Sequence, residues 1–297
     1  MITNALSVDV EEYYHSIEFE TAFPGERRYS LPSQVEESTE QVLALLGSLG
    51  VYATFFTVGQ VAEAHPRLIR QISEAGHEVA CHSYHHKFVS HQTPDEFRRD
   101  LQRARGILED LTGRVVIGYR APNYSIGVDQ VWAYDILLEE GFLYDSSIYP
   151  IRHDRYGWPN APRFPHEIRN DGLRKLIEFP IGTTRVLGKN LPIGGGGYFR
   201  ALPVGWFKNR IQRVNKREGQ PVMFYFHPWE LDPQQPYPSM PWYHSLRHYI
   251  GIEGLKAKLL RLLQSCHFST VRNVLGLQVE IEVNRDDSAR TSLMRAS

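Results

Sequence analysis

The chain has 297 residues, of which 42% are hydrophobic and 23% are charged, a composition typical of a globular protein with a large core and not of a disordered chain. Its 33 basic and 34 acidic residues leave a formal net charge of −1, which gives no indication of a nucleic-acid footprint or of a surface for anionic membranes. Two cysteines, Cys81 and Cys266, exclude a disulfide framework and match neither a CxxC redox site nor a cysteine-rich zinc site.

Short apolar runs typical of strands alternate with helical patterns about seven times along the chain. The predicted strands are 5–10, 52–58, 78–81, 115–119, 142–144, 176–181, 221–226 and 267–271. The predicted helices are 34–49, 63–75, 93–111, 129–140, 202–218 and 252–263. Residues 148–174, rich in proline, arginine and aromatics, are predicted to form a long surface loop. This alternation predicts an α/β architecture with a parallel sheet.

The two ends of the chain carry no sign of a membrane segment. The N-terminal residues contain no basic region, long apolar run or cleavage pattern, and no stretch of about 20 apolar residues occurs in the sequence. We therefore expect a cytoplasmic protein with neither a signal peptide nor a transmembrane segment. Residues 284–297 are polar and charged, and we expect them to be a disordered tail.

Polar clusters follow several of the predicted strands, as expected of a site at the carboxyl edge of a parallel sheet. In the segment CHSYHH, His82 and His86 are four residues apart, close enough in a helix or turn to reach one metal ion. His85 could replace either of them on spacing alone. Neutral imidazole suits zinc, and a carboxylate commonly completes such a set. Surface or capping histidines are the alternative, but three histidines in five residues after a buried strand favour ligands.

Acidic side chains follow the first strand. Asp9 and Glu11 are two residues apart, so alternation along a strand puts both on the same face. Two carboxylates there can divide the work, one binding a metal and the other acting as a base. Glu12 points away if the strand continues, but the chain could already be turning, and the choice between Glu11 and Glu12 stays open. A helix cap or a solvated acidic end is the alternative.

Two further polar residues follow later strands. Arg120 opens the segment RAPNY, where a guanidinium can hold a carboxylate by paired hydrogen bonds and keep it ionised. His227 follows PVMFYF and is a candidate general acid. A surface arginine and a packed histidine are the alternatives. The glycine run at 194–197 lacks GxGxxG and GK[ST] spacing, so it gives little support to phosphate binding. It either lets a backbone approach a ligand or forms a flexible turn.

Taken together and in order, the segments SVDVEE, HSYHH, RAPNYS, YDSS and FYFHPWE resemble the NodB-type polysaccharide deacetylases, carbohydrate esterase family four. More narrowly, NALSVDVEEYYH, GGGGYFR and FHPWELD resemble the branch associated with exopolysaccharide and exosortase (PEP-CTERM) loci. The resemblance implies a distorted (β/α)7 TIM-like barrel. It implies a single domain at residues 1–283, with a C-terminal extension from about residue 242.

The resemblance also implies roles for individual residues. Asp9 matches the catalytic base of the family, and His82 and His86 match its two metal-binding histidines. Arg120 matches the arginine that orients the base, and His227 matches the histidine that protonates the leaving amine.

One feature departs from the commonest family motif, which has two adjacent aspartates. Here Val10 follows Asp9 and the next acid is Glu11, as in the D-x-[DE] variant of the superfamily, which makes Glu11 the expected third metal ligand. The acid that supports the catalytic histidine is not identifiable from the sequence. Asp145 and Glu230 are its candidates.

The activity implied is a metal-dependent hydrolase that removes N-acetyl groups from amino sugars of a poly- or oligosaccharide, cleaving a linear amide C–N bond and releasing acetate. Zinc is the expected metal, with cobalt or nickel as alternatives. A backbone N–H near Tyr124 is expected to help hold the oxyanion. Tyr124, Tyr198 and Trp229 are candidates for stacking on a sugar ring. The alternatives are an allantoinase-like amidohydrolase on the same fold and a non-catalytic sugar-binding relative. The particular saccharide and the oligomeric state are not indicated.

Overall fold

The computed structural model describes residues 1–23, 25–236 and 240–278 of the chain. Its strands are β1 (Asn4–Val10), β2 (Thr54–Thr57), β3 (Glu78–Cys81), β4 (Gly118–Tyr119), β5 (Tyr144–Asp145), β6 (His166–Asn170), β7 (Lys175–Glu178), β8 (Thr183–Val186), β9 (Lys189–Pro192), β10 (Met223–Phe226) and β11 (Phe268–Ser269). Its α-helices are α1 (Ile17–Ala22), α2 (Val35–Leu49), α3 (Gly59–Ala64), α4 (Pro66–Glu74), α5 (Pro94–Thr112), α6 (Trp132–Glu139), α7 (Gly196–Ala201), α8 (Val204–Arg213), α9 (Trp242–Tyr249), α10 (Leu255–Leu263) and α11 (Val271–Leu275).

Seven parallel strands form the framework, in the spatial order β10, β1, β2, β3, β4, β5 and β7. Just beyond β7, Ile181 pairs in parallel with Met223 of β10, and Gly195 pairs with Tyr225 of the same strand. These two bridges bring the last strand of the series back to the first. The sheet therefore curls into the distorted (β/α)7 barrel that the family resemblance implies.

Both faces of the central strands are buried, which is why their sequences are continuously apolar. In β1, Leu6 and Val8 belong to the large cluster that packs against the helices, whereas Ala5 belongs to the cluster inside the barrel. Ser7 and Asp9 share the parity of Ala5, so alternation directs both of them to the interior. The barrel interior near the end of β1 is therefore polar, and this is where the candidate site lies.

Capping residues, glycine and proline define the ends of several helices. Thr93 caps α5 with a reciprocal bond to Glu96, and Gly113 ends this helix in the left-handed conformation with φ 65°. Gly50 ends α2 in the same way, with φ 61°. The helix predicted at 63–75 is divided in two, because Pro66 cannot donate a backbone hydrogen bond and begins a new helix, α4.

The prediction of an unbroken loop at 148–174 is wrong, because β6 lies within it and pairs antiparallel with β7. This strand is at the edge of the sheet and its sequence, HEIRN, is half-exposed, so it lacks an apolar run. The hairpin of β8 and β9 and the short helices α1, α7, α9 and α11 were also not predicted.

The chain beyond β10 packs back onto the barrel, because β11 pairs with β1 and α11 contacts β1. The predicted domain end at 283 and the predicted tail at 284–297 lie outside the described residues. Within the described ranges, no helix combines the length and apolar character needed to cross a membrane.

Candidate active site

The candidate catalytic residues meet at the carboxyl edge of the barrel, where Asp9, His82 and His227 line a cleft of about 400 Å³ and Arg120 is buried beneath it. Asp9 is the last residue but one of β1, and Glu11 directly follows the strand. His82 directly follows β3, Arg120 follows β4, and His227 follows β10. Residues that are more than 200 positions apart in the chain therefore line one cavity, as the positions of the predicted strands indicate.

Glu11, His82 and His86 form a buried group whose ligand atoms all lie within 4.8 Å of one another. Oε2 of Glu11 is 2.6 Å from Nε2 of His86 and 3.7 Å from Nε2 of His82. Although burial alone would raise the pKa of the Glu11 carboxyl, the imidazoles around it hold that pKa well below its usual value. The group thus presents one carboxylate oxygen and two imidazole nitrogens to a common point.

Local backbone geometry directs the two histidines inward. Ser83 and His86 both have positive φ, 61° and 53°, and the backbone N–H of His86 donates to the Ser83 hydroxyl at 2.9 Å. Nδ1 of His82 is 2.8 Å from the carbonyl oxygen of Arg120, so Nδ1 donates and Nε2 keeps its lone pair. Nε2 of His86 is buried and faces Oε2 of Glu11 at 2.6 Å. Two available imidazole nitrogens beside a carboxylate suit a divalent metal ion.

The structure separates Glu11 from its neighbour. The Glu12 carboxylate accepts hydrogen bonds from the Ser33 hydroxyl and, at 3.1 Å, from the backbone N–H of Gln34. The Glu12 carboxylate therefore binds the segment that leads into α2 and faces away from His82 and His86. Of the two acids left open by the sequence, Glu11 is the one that faces the imidazoles.

His85 is likewise excluded from the metal-ligating group in the described part of the chain. Its backbone N–H donates to Oδ1 of Asp100 at 3.1 Å, and its ring lies edge-on to Tyr84 with 4.5 Å between centroids. The tight turn at 83–86 separates it from the neighbouring histidines.

Asp9 and Arg120 form a buried ion pair, with Nη1 of Arg120 2.6 Å from Oδ1 of Asp9. The guanidinium also donates to the hydroxyls of Ser7 and Ser146, both at 2.9 Å, and to the carbonyl of Ser146. Its flat face lies 4.1 Å from the centroid of the Phe56 ring. These contacts hold Arg120 rigidly and, through it, the orientation of the Asp9 carboxylate.

His227 lies beside the carboxylates of Asp9 and Glu11, near the oxygen of Asp9 that Arg120 does not contact. Its Nε2 is 3.6 Å from Oε1 of Glu11 and 4.0 Å from Oδ2 of Asp9. Burial alone would lower the pKa of this imidazole, but the nearby carboxylates, Glu11 first, raise it to about 9. The side chain is therefore an imidazolium, a proton donor, in the neutral range.

Glu230 is the acid beside His227. Its Oε1 is 3.6 Å from Nδ1 of His227, and its Oε2 accepts the backbone N–H of the same residue at 3.1 Å. Arg200 in turn places its Nε 3.0 Å from Oε1 of Glu230. Burial alone would raise the pKa of Glu230, but these cationic partners hold it below its usual value. The spacing of three residues from His227 is a sequence signal for Glu230, whereas Arg200 ends the segment GGGGYFR but was not among the candidate site residues.

The other candidate, Asp145, has a different role. It accepts hydrogen bonds from the backbone and hydroxyl of Ser147, and that hydroxyl accepts the backbone N–H of Ala121 at 2.8 Å. Asp145 therefore stabilises the loop that follows Arg120. Of the two candidate acids, Glu230 is the one that lies beside His227.

The three aromatic residues predicted to contact a sugar ring lie at the cleft, but one of them has no open ring face. Tyr124, Tyr198 and Trp229 all line the cleft. Trp229 is only 5% exposed, however, and its ring is stacked between His227 and His248, so it has no open face for a sugar. The backbone N–H of Tyr124 already donates to the carbonyl of Ala121 at 3.1 Å, which leaves this particular N–H engaged and not free for an oxyanion.

The glycine run has a structural explanation. A Cβ on Gly195, whose φ is 117°, would lie 1.9 Å from the carbonyl oxygen of Tyr225. Gly194 accepts the backbone N–H of Tyr225 at 2.7 Å. The run therefore lets the chain approach the backbone of β10 and close the barrel, with Gly196 and Gly197 lining the cleft.

Two family models match separate ranges of the chain. Residues 29–135 match the family model described as "Polysaccharide deacetylase", and residues 146–276 match one described as "Domain of unknown function (DUF3473)". The first range includes His82, His86 and Arg120, and the second includes His227. Both ranges thus contribute side chains to a single cleft.

Among curated proteins, the chain is similar to the peptidoglycan deacetylase-like protein FGM2 of Gibberella zeae, with 32% identity over 110 residues, 36% of this chain and 32% of the relative. It is also similar to a peptidoglycan-N-acetylglucosamine deacetylase of Bacillus cereus, with 33% identity over 98 residues, 33% of this chain and 36% of the relative. The matches span about a third of the length of these relatives.

Two solved structures show the same fold. One is described as "putative polysaccharide deacetylase from Mycobacterium smegmatis", with a TM-score of 0.62 and 18% identity, covering 99% of this chain and 93% of the other. The other is PuuE allantoinase, with a TM-score of 0.61 and 18% identity, covering 92% and 88%. At 18% identity these two matches show the fold alone, and the similarity to polysaccharide deacetylases rests on the family model over residues 29–135 and on the curated relatives.

Proposed function

We propose that this chain, whose matches support the polysaccharide deacetylase family, is a metal-dependent enzyme that removes N-acetyl groups from N-acetylated amino sugars. The observation that carries the proposal is the convergence of three groups in one cleft. These groups are the ligand set Glu11, His82 and His86, the Asp9–Arg120 pair, and His227. A sugar-binding protein without catalysis would not need a base, a fixed guanidinium and a proton donor around the same point.

We propose zinc as the metal, held by Glu11, His82 and His86, since two imidazoles and one carboxylate are a common zinc set that leaves a position open. Cobalt and nickel accept similar ligands. When bound there, the ion would act as a Lewis acid that polarises the amide carbonyl and acidifies the attacking water.

Asp9 is the proposed general base. Its Oδ1 is engaged by Arg120, while its Oδ2 faces the side of the cleft on which His227 lies. As water attacks the carbonyl carbon of the acetamide, the carboxylate takes one proton from it. Arg120 keeps the carboxylate in one orientation through this ion pair.

His227 is the proposed general acid. When the C–N bond breaks, its Nε2 proton passes to the departing nitrogen, so that the products are an amine and acetate. Glu230 beside Nδ1 stabilises the imidazolium form and orients the ring, and Arg200 holds Glu230 in place. Tyr124 and Tyr198 remain the proposed contacts for the sugar ring. The substrate we propose is a poly- or oligosaccharide, with an exopolysaccharide or its precursor as the specific class.

The direct test is acetate release from N-acetylglucosamine oligomers by the metal-loaded protein, with allantoin as a parallel substrate. We expect acetate from the oligomers and no turnover of allantoin. Ring opening of allantoin without acetate release would replace the proposal with the amidohydrolase alternative. Binding of the oligomers without turnover of either substrate would indicate a non-catalytic sugar-binding protein.

Metal dependence is tested by elemental analysis of purified variants. His82→Ala and Glu11→Gln should each lose most of the bound metal, whereas His85→Ala, from the same turn, should keep it. Undiminished metal in His82→Ala would contradict the ligand assignment.

A further inference from the structure

The ring of Trp229 lies in the middle of a three-layer stack beside the candidate metal site. Its centroid is 4.9 Å from that of His227, with 16° between the planes, and 4.6 Å from that of His248, with 9° between the planes. Both faces are covered, so the polar edge is what remains for another contact. That edge points to Glu11, with Nε1 of the indole 3.3 Å from Oε1 of the carboxylate.

We propose that Trp229 is a positioning residue for the metal site, which holds the Glu11 carboxylate through its indole N–H. The proposal rests on the proposed metal-binding role of Glu11. It assigns to Trp229 a function different from sugar stacking.

The need for such a contact follows from the chemistry of glutamate. Its side chain has one more rotatable bond than that of aspartate, so the position of its carboxylate is less restricted. Oε2 faces the two imidazoles, at 2.6 Å from His86 and 3.7 Å from His82. A donor on Oε1 leaves Oε2 directed at the common point, as hydrogen bonds to ligating carboxylates do in metal sites.

One face of the Trp229 ring packs on His248, which is itself fixed by hydrogen bonds. Nε2 of His248, in α9, is 2.7 Å from Oε1 of Gln235, and its Nδ1 is 3.2 Å from the hydroxyl of Ser16. The amide of Gln235 also donates to the carbonyl of Trp229 at 2.9 Å. Burial lowers the pKa of His248 to about 3, so this stacking partner is neutral. The indole is thus held in position and orientation by contacts within the protein.

The test is the zinc dissociation constant of Trp229→Phe, measured by competition with a chromogenic chelator. Phenylalanine keeps an aromatic ring between the two imidazoles but has no N–H. Loss of a hydrogen bond to a metal ligand typically weakens metal binding by about 10- to 100-fold, and we expect a weakening in this range. The matched control is Trp206→Phe, a tryptophan of α8 that contacts Phe207 and Arg210 and is not among the residues that line the cleft. It should bind zinc like the wild type.

A double-mutant cycle shows whether Trp229 acts through Glu11. In the Glu11→Gln background, the further change Trp229→Phe should leave the zinc affinity unchanged, because the contact no longer serves a ligand. An equal loss in both backgrounds would mean a general structural effect and would overturn the proposal. So would a wild-type zinc affinity in Trp229→Phe.

The same measurements separate this proposal from the proposed function. If Glu11→Gln alone binds zinc as tightly as the wild type, the metal site itself is wrong. If Glu11→Gln weakens zinc binding but Trp229→Phe does not, only the role of Trp229 is wrong. Folding is checked by circular dichroism, and if Trp229→Phe does not fold, Trp229→Met, a flexible apolar side chain without a hydrogen-bond donor, is judged by the same affinities.

Discussion

Nη1 of Arg120 lies 2.6 Å from Oδ1 of Asp9, although the two residues are 111 positions apart in the sequence. Both side chains are buried, with exposures of 0% and 4%. The pair therefore has two consequences, one for the orientation of the proposed base and one for the stability of the barrel.

For stability, Arg120→Ala should lower the free energy of unfolding by about 3–5 kcal/mol, because it leaves the Asp9 carboxylate buried without its partner. The matched control is Arg174→Ala, which breaks the more exposed pair with Asp171 and should cost at most about 1 kcal/mol. Urea denaturation of both variants measures the difference. Equal losses would mean that water or another cation compensates Asp9.

For catalysis, Asp9→Asn should keep its metal and lose most of its deacetylase activity, by roughly 10²- to 10⁴-fold in kcat, since the amide cannot accept the proton. Elemental analysis and acetate release are measured on the same preparation. If Asp9→Asn loses its metal while Glu11→Gln retains it, the roles of the two carboxylates are reversed.

His227→Ala should reduce kcat for amide hydrolysis by about 10²- to 10⁴-fold, because an amine leaves slowly unless it is protonated. Hydrolysis of an activated ester such as nitrophenyl acetate should fall much less, since its leaving group needs no proton. The metal content should be that of the wild type, because His227 is outside the ligand set. Equal losses on amide and ester would point to a structural or binding role.

Because Gly195 lies close to β10, we expect a methyl group at this position to lower the free energy of unfolding. Gly195→Ala should destabilise the protein by roughly 3–5 kcal/mol, since the strained positive φ and the clash with the Tyr225 backbone add together. Gly188 also has a positive φ, 79°, but a Cβ there meets nothing within 4 Å. Gly188→Ala should therefore cost only the backbone strain, about 1–3 kcal/mol. Thermal unfolding of the two variants checks this order, and a smaller cost at Gly195 would contradict the barrel closure described here.

The buried carboxyl pair of Glu178 and Asp145 predicts a pH dependence of stability. Burial, followed by the nearby Asp145, raises the pKa of Glu178 well above its usual value of 4.5, so the folded protein keeps a proton that the unfolded chain releases. Burial, followed by the nearby Glu178 and Asp145, also raises the pKa of Tyr134 well above its usual value. Above pH 4.5, the free energy of unfolding should therefore fall with rising pH, by up to about 1.4 kcal/mol per pH unit, until the folded-state pKa is passed.

Glu178→Gln removes this titration and can still accept the backbone N–H of Ile148, which lies 3.0 Å from Oε1 in the wild type. The variant should show a flatter stability profile between pH 5 and 8 in urea denaturation. A slope identical to that of the wild type would exclude Glu178 as its source.

The positions of Asp9, His82, Arg120 and His227 could be predicted because each lies at or just after the end of an apolar run with the composition of a buried strand. Parallel strands end at one edge of a barrel, so recognising the strands was enough to bring these residues together. The strand β6 could not be recognised in this way. As an edge strand it is half-exposed, and its polar sequence carries neither an apolar run nor a clear alternation.

By itself the sequence determined the alternating architecture and the residue types at the strand ends, because burial on both sides of a parallel sheet demands continuous apolar runs. Only the tertiary structure decided which of these side chains face one another. Strand alternation favours Glu11 over Glu12, but the choice is made where the chain turns beyond β1, because the Glu12 carboxylate there accepts the backbone N–H of Gln34 and Glu11 faces the histidines. Trp229 meets Glu11 across 218 positions. Such partners are set by how the strands are ordered around the barrel, and neither local propensity nor spacing contains that information.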